Sequence, residues 1–319
     1  MTMKVSVTVI TYNHENFIRQ ALDSVLMQEV AFDYEIVIGE DCSTDNTRKI
    51  LLDYQEQHPD IIRLLLAEKN QGLVRNFLQT YRACKGEYVA TLDGDDYWVS
   101  PRKLQMQVDF LDGNRDFTMC IHPVTMVFEG NRKPSRIYPE VQKATFTLED
   151  LLVSNFIPTC SVMFRNHVFG EFPDWYHTFR FMEDWALYAL IAQHGKIGLL
   201  RETMGVYRFH SKSTWSLQEE VERRHEEIKF YHCMKRHLGN RHKNIINKML
   251  DKYYYDIALL YEDKNEYPSA KYYINKSVLI NPFLSNVKTT NKIKTLVRLY
   301  FPSLYKFIKS HVAMYKSSH

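Results

Sequence analysis

Short apolar runs alternate with helical patterns through the first third of the chain. The apolar runs, which predict strands, are residues 5–10, 34–39, 61–66 and 86–92. The segments between them, whose apolar residues recur every three or four positions and predict helices, are residues 16–27, 47–57 and 72–84. Strands that alternate with helices at these lengths predict βαβ units and an α/β fold around a mostly parallel sheet.

From about residue 217 onward the pattern is helical throughout. Residues 219–249 are charged and amphipathic, and residues 254–282 resemble one tetratricopeptide repeat. The positions that carry this resemblance are Tyr254, Ile257, Ala258, Tyr261, Ala270, Ile274 and Pro282. One repeat cannot form a solenoid, so we expect its hairpin to pack on neighbouring helices; peptide binding is the alternative. We therefore predict two domains, residues 1–216 and 217–319.

The net charge of +3 combines two regions of opposite sign. Residues 267–319 hold nine Lys and Arg and no acidic residue, whereas residues 1–266 hold 32 basic and 38 acidic residues, a net charge of −6. Around Pro302 the basic tail forms two amphipathic stretches, a pattern typical of helices at membrane interfaces. The basic residues of these stretches are Lys292, Lys294, Arg298, Lys306 and Lys309. A tail that docks on the rest of the protein, with its basic face in solvent, is the alternative. Since no nucleic-acid-binding motif accompanies the charge, we expect no nucleic-acid partner.

Composition excludes several classes of protein. Apolar residues make up 45% and charged residues 25% of the 319 positions, a globular balance that rules out a wholly disordered chain. No run of about 18 apolar residues occurs, so a membrane-spanning helix is not expected. The five cysteines are widely spaced and form no CxxC pair, which argues against a disulfide framework or a structural zinc site and is typical of a reducing cytosol.

Acidic side chains follow the predicted strands at the points where the strands end. The carboxyl ends of parallel strands share one edge of the sheet, and ligands bind beyond that edge. The acids that this topology gathers there are Asp41, Asp45, Asp93, Asp95 and Asp96. Such a group repels itself unless a cation neutralises it, and oxygen ligands favour Mg²⁺ or Mn²⁺ over zinc. Capping of turns and helices is the alternative for Asp45, but three acids within residues 93–96 exceed what one cap needs.

Five motifs in order resemble the inverting glycosyltransferases of family two, which have the GT-A nucleotide-sugar fold. The resemblance covers residues 3–216, about two thirds of the chain. The motifs are the opening strand with its TYN loop at 11–13, the DCSTDNT turn at 41–47, the NQGLVRN segment at 70–76 leading to the DGDD element at 93–96, Glu183-Asp184, and Tyr207-Arg208-Phe209-His210 with Ser213 and Ser216. The resemblance implies a Rossmann-like, mostly parallel sheet flanked by helices, to which the all-helical C-terminal region is added.

The resemblance also assigns the nucleotide-sugar site. In that family the loop after the first strand wraps the nucleobase and ribose, and the acid after the second strand contacts the base. A carboxylate at that place can accept the N3–H of uracil. The residues implied to bind the nucleotide sugar are Thr11, Tyr12, Asn13, Glu15, Asp41, Asn70, Arg75, Asn76, Asp93, Gly94 and Arg208. For Arg75, an ordinary surface position on a helix is the alternative.

The same resemblance places the metal and the catalytic acids. Asp95 matches the metal-binding acid of the DxD element, and His210 matches a position that completes the metal site in some members. The implied cofactor is Mn²⁺ or Mg²⁺, which stabilises the leaving diphosphate as a Lewis acid. Asp184 matches the general base that takes the proton of the acceptor hydroxyl, and Glu183 is expected to orient the acceptor. For both acids, a place at a helix N-terminus, where the helix dipole favours negative charge, is compatible with these roles.

The expected activity is therefore inverting transfer of a sugar from a nucleoside-diphosphate sugar, a UDP-sugar by expectation, to a hydroxyl of a glycan or lipid-linked glycan in surface polysaccharide synthesis. A lipid-linked acceptor explains the basic tail, so we expect a cytoplasmic protein that is peripheral on the inner face of the membrane. Two other functions remain open. A nucleotidyltransferase would need a Gly-rich, basic loop after the first strand, which TYNHEN is not. A non-catalytic nucleotide-sugar binding module would be expected to lose the DxD or Glu-Asp acids, which are present.

Overall fold

A computed structural model of the protein describes residues 3–131, 133–140, 143–210, 213, 217–281 and 289–317. The chain forms two compact units that divide between Leu217 and Gln218. The strands of the first unit are β1 Val5–Thr11, β2 Tyr34–Glu40, β3 Ile62–Leu66, β4 Tyr88–Asp93, β5 Tyr97–Trp98, β6 Phe117–Ile121, β7 Val124–Phe128, β8 Arg136–Tyr138, β9 Thr145–Phe146, β10 Met163–Arg165, β11 Lys196–Leu199 and β12 Gly205–Phe209. Its helices are α1 Ile18–Leu26, α2 Thr47–Gln57, α3 Leu73–Arg82, α4 Lys103–Gly113, α5 Leu148–Val153 and α6 Glu183–Ile191.

The central sheet has eight strands in the order β3-β2-β1-β4-β10-β6-β11-β9, and a second sheet has four in the order β5-β12-β7-β8. Strands β3, β2, β1 and β4 run parallel, and β10 then pairs antiparallel with β4. The α/β fold predicted from the sequence is thus confirmed, with a parallel N-terminal half and mixed pairing beyond β4. For the four strands and three helices that the sequence predicts between residues 5 and 92, the predicted bounds agree with the structure within two residues.

The core of this unit follows directly from the apolar patterns. All seven residues of β1 are buried, as expected of a parallel strand covered by helices on both faces. Helix α1 buries Ile18, Ala21, Leu22 and Val25, which recur at the spacing of one helical face. Ser6 and Thr8 alternate with valines along β1, yet both polar side chains are buried with the rest of the strand.

The second unit is helical, as predicted. Its helices are α7 Glu220–Leu238, α8 Lys243–Asp263, α9 Tyr267–Ile280, α10 Thr289–Tyr300 and α11 Pro302–Ser317. The helical pattern of residues 219–249 is interrupted because Gly239, with φ of +60°, ends α7. The hairpin of α8 and α9 buries Ala258, Ala270 and Ile274 in its own core. Its likeness to a tetratricopeptide repeat stays a prediction, and Pro282 lies outside the described residues.

Helix α10 docks on its neighbours within this unit. The buried Lys292 ammonium pairs with the buried Asp251 carboxylate and donates to the Asn281 carbonyl (2.9 Å). Arg298 pairs with Glu262. Lys292 and Arg298 were expected on the basic face of the tail, but in the structure both side chains form ion pairs within the helical unit. Within the part of the chain that the structure describes, no helix combines the length and apolarity needed to cross a membrane.

Candidate active site

Three loops meet at the carboxyl edge of the central sheet because β1, β2 and β4 end level with one another. In the parallel register Ile10 lies opposite Asp93. The Asp41 N–H donates to the Thr11 carbonyl (3.1 Å), and the Gly94 N–H donates to the Ile10 carbonyl (3.0 Å). The loop after β1 therefore lies between the two acid-bearing loops, at one edge of the sheet, where the acids were predicted to gather.

The loops after β1 and β2 are tied together by side chains that the sequence assigned to the nucleotide. The Asn13 N–H donates to Ser43 Oγ (3.0 Å), and Asn13 Oδ1 accepts the Thr44 N–H (2.8 Å). Glu15 Oε2 accepts both the backbone and the side-chain N–H of Asn46 (3.0 and 2.8 Å). Asn13 and Glu15 thus fix the shape of this edge of the sheet by hydrogen bonds to the loop after β2.

Asp41 lies buried at the end of β2. Its two carboxylate oxygens accept the backbone N–H groups of Gln71 (2.7 Å) and Gly72 (2.9 Å). Its carbonyl accepts the Asn70 side-chain amide (3.3 Å). Burial raises the pKa of Asp41, although the two backbone donors act in the opposite direction. The structure thus brings the predicted residues Asp41 and Asn70 together.

The remaining residues of the predicted nucleotide site differ in exposure. Thr11 is buried, whereas the Tyr12 ring is 42% exposed. On α3, Asn76 is buried and donates to the Gly39 carbonyl (2.9 Å), while Arg75 faces solvent. Asn76 therefore joins α3 to β2. Arg75 lies on the exposed face of α3, in agreement with the alternative that it is an ordinary surface residue of the helix.

The loop after β4 carries the acidic cluster. Carboxylate oxygens of Asp93, Asp95 and Asp96 lie within 4.8 Å of one another. Asp95 Oδ2 lies 2.8 Å from His210 Nε2 and 3.9 Å from His14 Nε2. Burial acts to raise the pKa of Asp95, but the two histidines outweigh it and lower that pKa below its ordinary value. Burial and the neighbouring carboxylates instead raise the pKa values of Asp93 and Asp96.

Arg208, on β12, is hydrogen-bonded to this loop. Its guanidinium donates to the Asp95 carbonyl (2.6 Å), and its backbone N–H donates to Asp96 Oδ1 (2.8 Å). The guanidinium also lies over the rings of Tyr97 (4.4 Å) and Phe17 (5.3 Å). His210 follows two residues later, so the same strand positions both the loop and the imidazole. Ser216 of this motif lies outside the described residues.

Asp184 is the second residue of α6. Its Oδ1 accepts the Trp185 N–H (2.6 Å), and its Oδ2 accepts the Asn155 side-chain amide (3.3 Å). Burial raises the pKa of Asp184 to about 6, although both hydrogen bonds act to lower it. Asp93, Glu183 and Asp184 line one cavity of about 20 Å³, room for about one water molecule. The Glu-Asp and DxD elements therefore meet at one place.

The sequence of this site matches a known family. The family model described as glycosyl transferase family 2 matches residues 6–169. The chain belongs to this family. The matched segment includes the loops after β1, β2 and β4, while the α6 acids and His210 lie beyond it. In the structure, these later residues lie beside the acidic loop that the family model covers.

Relatives of this member of glycosyl transferase family 2 occur in several bacteria. An uncharacterized protein of Mycobacterium tuberculosis is 37% identical over 211 residues, which are 66% of this chain and 60% of that protein. TuaG of Bacillus subtilis, whose name assigns it to teichuronic acid biosynthesis, is 28% identical over 235 residues, 69% of this chain and 89% of TuaG. The chain thus spans about three fifths of the length of the mycobacterial relative.

Two solved structures that contain nucleotide sugars share the fold. Residues 1–349 of Staphylococcus aureus TarS, in complex with UDP-GlcNAc, match with a TM-score of 0.66 and 18% identity, covering 86% of this chain and 82% of that one. The mannosyltransferase PcManGT of Pyrobaculum calidifontis, in complex with GDP-Man and Mn²⁺, matches with a TM-score of 0.55 and 16% identity, covering 97% and 84%. The GT-A fold predicted from the motifs is confirmed.

Two residues of the site in this family 2 member were not predicted. His14 belongs to the TYNHEN loop but was assigned no role, and Asn155 lies in no motif. The place of His14 could have been inferred, because its loop follows β1 and β1 pairs with β4, which carries the acids. No sequence signal indicates Asn155, which reaches Asp184 across 29 positions of the chain.

Proposed function

We propose that the protein is a metal-dependent inverting glycosyltransferase. It transfers a sugar from a nucleoside-diphosphate sugar, with UDP as the nucleotide, to a hydroxyl of a glycan or lipid-linked glycan in surface polysaccharide synthesis. The observation that carries the proposal is the meeting of Asp93 and Asp184 at one cavity, because it joins the DxD loop to the predicted base. The matches to TuaG and to TarS in complex with UDP-GlcNAc support the class of substrate.

The acidic loop fits a divalent cation. Asp95 Oδ2 faces the His210 imidazole at hydrogen-bond distance, and Asp96 Oδ2 is buried without a hydrogen-bond partner among the described residues. Asp95 and His210 would hold Mn²⁺ or Mg²⁺, with Asp93 nearby, and the match to PcManGT in complex with Mn²⁺ favours this assignment. When bound, the cation supplies Lewis-acid stabilisation of the leaving diphosphate.

The loops after β1 and β2 would bind the nucleotide. The exposed Tyr12 ring is available to stack on the base, and Asp41 to accept its N3–H, since each carboxylate oxygen has a second lone pair. Thr11, Asn13, Glu15, Asn70, Arg75 and Asn76 complete this proposed subsite. Asp93, Gly94 and Arg208 would lie beside the ribose and diphosphate.

Asp184 would act as the general base. Its pKa of about 6 leaves it charged at pH 7 yet close to the value that suits proton transfer. It would take the proton from the acceptor hydroxyl as that oxygen attacks the anomeric carbon, and Glu183 would orient the acceptor. A single displacement inverts the anomeric centre, and it requires no covalent nucleophile.

The tail would bring the enzyme to its acceptor. Leu304 and Ile308 on α11 are 49% and 47% exposed, and Tyr300 and Phe301, which precede α11, are exposed as well. Lys306 and Lys309 supply positive charge, in a tail segment that contains no acid. We propose that α11 lies on the anionic inner face of the cytoplasmic membrane, where each nearby basic residue contributes about 1 kcal/mol.

A donor screen tests the proposed activity. Purified full chain is incubated with UDP-sugars and Mn²⁺, with and without lipid-linked glycan acceptors, and UDP release is measured. The proposal predicts release that needs the metal and rises with one acceptor class. Absence of UDP release with every UDP-sugar and acceptor in the screen would contradict it.

A further inference from the structure

We propose that His14 is a third protein ligand of the divalent cation, beside Asp95 and His210. The inference rests on the proposed function, since it requires that this loop hold a metal. Both imidazoles present their Nε2 atoms to the same oxygen, Asp95 Oδ2, at 2.8 Å for His210 and 3.9 Å for His14. Two nitrogens that converge on one carboxylate oxygen form the type of donor set that transition-metal ions bind.

The separations agree with ligands of one ion. Metal–oxygen and metal–nitrogen bonds in such sites are about 2.1 Å long, so two ligands lie about 3 Å apart when adjacent and about 4.2 Å apart when opposite. The distances from Asp95 Oδ2 to the two imidazoles fall close to this range. Neither histidine would need a large movement to coordinate.

The fold holds the His14 ring in place. Its backbone N–H donates to Thr47 Oγ1 (2.8 Å), and its carbonyl accepts the N–H groups that begin α1. A Cβ on Gly94 would lie 2.8 Å from His14 Nδ1, so this nitrogen packs against the DGDD backbone while Nε2 points to the carboxylate. Phe17 contacts both rings, at 6.4 Å for His14 and 4.8 Å for His210 between centroids.

Two imidazoles affect the choice of metal. Mg²⁺ prefers oxygen ligands and loses its waters reluctantly, whereas first-row transition ions accept imidazole nitrogen. A site with His14, His210 and Asp95 should therefore prefer Mn²⁺ over Mg²⁺. Removal of one imidazole should reduce that preference.

Pulsed electron paramagnetic resonance counts the ligands without any turnover. The full chain is loaded with Mn²⁺ and UDP, and couplings from coordinated ¹⁴N are measured for the wild type, His14→Gln, His210→Gln and the exposed control His194→Gln. We expect two imidazole nitrogens in the wild type and His194→Gln, and one in each of the other variants. The Kd for Mn²⁺ should rise at least tenfold in His14→Gln, as even outer-shell changes cost 10- to 100-fold.

The outcomes separate the inference from the proposed function. One nitrogen in the wild type, unchanged in His14→Gln and with a Kd within twofold, would overturn the role of His14 and leave the metal site intact. A wild type that binds no Mn²⁺ would overturn both. The wild-type spectrum decides even if His14→Gln fails to fold, and a circular dichroism melt identifies that case.

Discussion

His210 Nε2 lies 2.8 Å from Asp95 Oδ2, although 115 positions separate the two residues in the chain. The contact joins the residue that follows β12 of the second sheet to the loop after β4 of the central sheet. Since both residues come from motifs that the family resemblance singled out, their meeting supports the metal site more strongly than the DxD element alone. Asp95 is therefore the residue whose substitution tests the metal site.

Asp95→Asn should abolish metal-dependent binding of UDP. The amide keeps the size of the side chain but lacks the charge that a divalent cation needs. Calorimetry with UDP and Mn²⁺ should give at least a tenfold weaker Kd, whereas the exposed Asp60→Asn should match the wild type. Equal UDP affinity in Asp95→Asn with and without Mn²⁺, at the wild-type value, would show that the ion binds elsewhere.

Asp184→Asn should stop sugar transfer while sparing the donor. Removal of a general base costs about 10²- to 10⁴-fold in kcat. The UDP affinity should stay within about twofold, because Asp184 lies on the acceptor side of the proposed site. Asp174→Asn, at an exposed position of the same unit, is the control. Retained turnover in Asp184→Asn would remove Asp184 from the mechanism.

The rate should fall on the acidic side of about pH 6. The pKa of Asp184 is raised to about 6, and a protonated carboxyl cannot accept the acceptor's proton. The kcat/KM should therefore decrease about tenfold per pH unit below that value. Asn155→Ala removes a hydrogen bond that favours the charged form, so the acidic limb should move to higher pH. An acidic limb that is identical in this variant would show that the Asn155 hydrogen bond does not influence the pKa of Asp184.

Gly39→Ala should destabilise the fold. A Cβ at residue 39 would lie 2.1 Å from Thr80 Oγ1 and 2.4 Å from Asn76 Oδ1, so α3 would have to move away from β2. Such overpacking costs about 1–3 kcal/mol in the free energy of unfolding, measurable by urea denaturation. Gly113→Ala is the matched control, because no atom lies within 4 Å of its added Cβ.

Leu304→Ser combined with Ile308→Ser should weaken binding to anionic vesicles. The loss of two apolar side chains from the proposed contact face should reduce partitioning about tenfold or more in a sedimentation assay. Leu279→Ser, at a position that is 79% exposed on α9, tests whether any exposed leucine has this effect. Equal sedimentation of the double variant and the wild type would exclude α11 as the contact face.

The sequence predicted the strands and helices of residues 5–92 in the first unit, since these elements follow simple apolar periods. Helix α2 has the bounds that its pattern predicts, Thr47–Gln57. The break at Gly239 was missed, because charged residues continue at helical spacing on both sides of it. The use of Lys292 in a buried ion pair could not be predicted either, since its partner Asp251 lies 41 positions away.

The site was predictable to the level of loops but not of contacts. Strand order indicates that Asp41 and Asp93 end at one edge. It does not indicate that Asn13 and Glu15 bond to the next loop, or that Arg208 is held by the Asp95 carbonyl. Those contacts depend on loop conformations, such as the φ of +57° at Asn13, that a pattern of residues does not encode.

The most direct test of the central claim follows the anomeric configuration of the transferred sugar. ¹H NMR of the product, recorded after removal of Mn²⁺, reports the configuration of the glycosidic bond that the wild-type chain forms from a UDP-sugar and an acceptor that support turnover. We predict the configuration opposite to that of the donor, with no product from Asp184→Asn. A first product that retains the donor's configuration would contradict single displacement with Asp184 as the base.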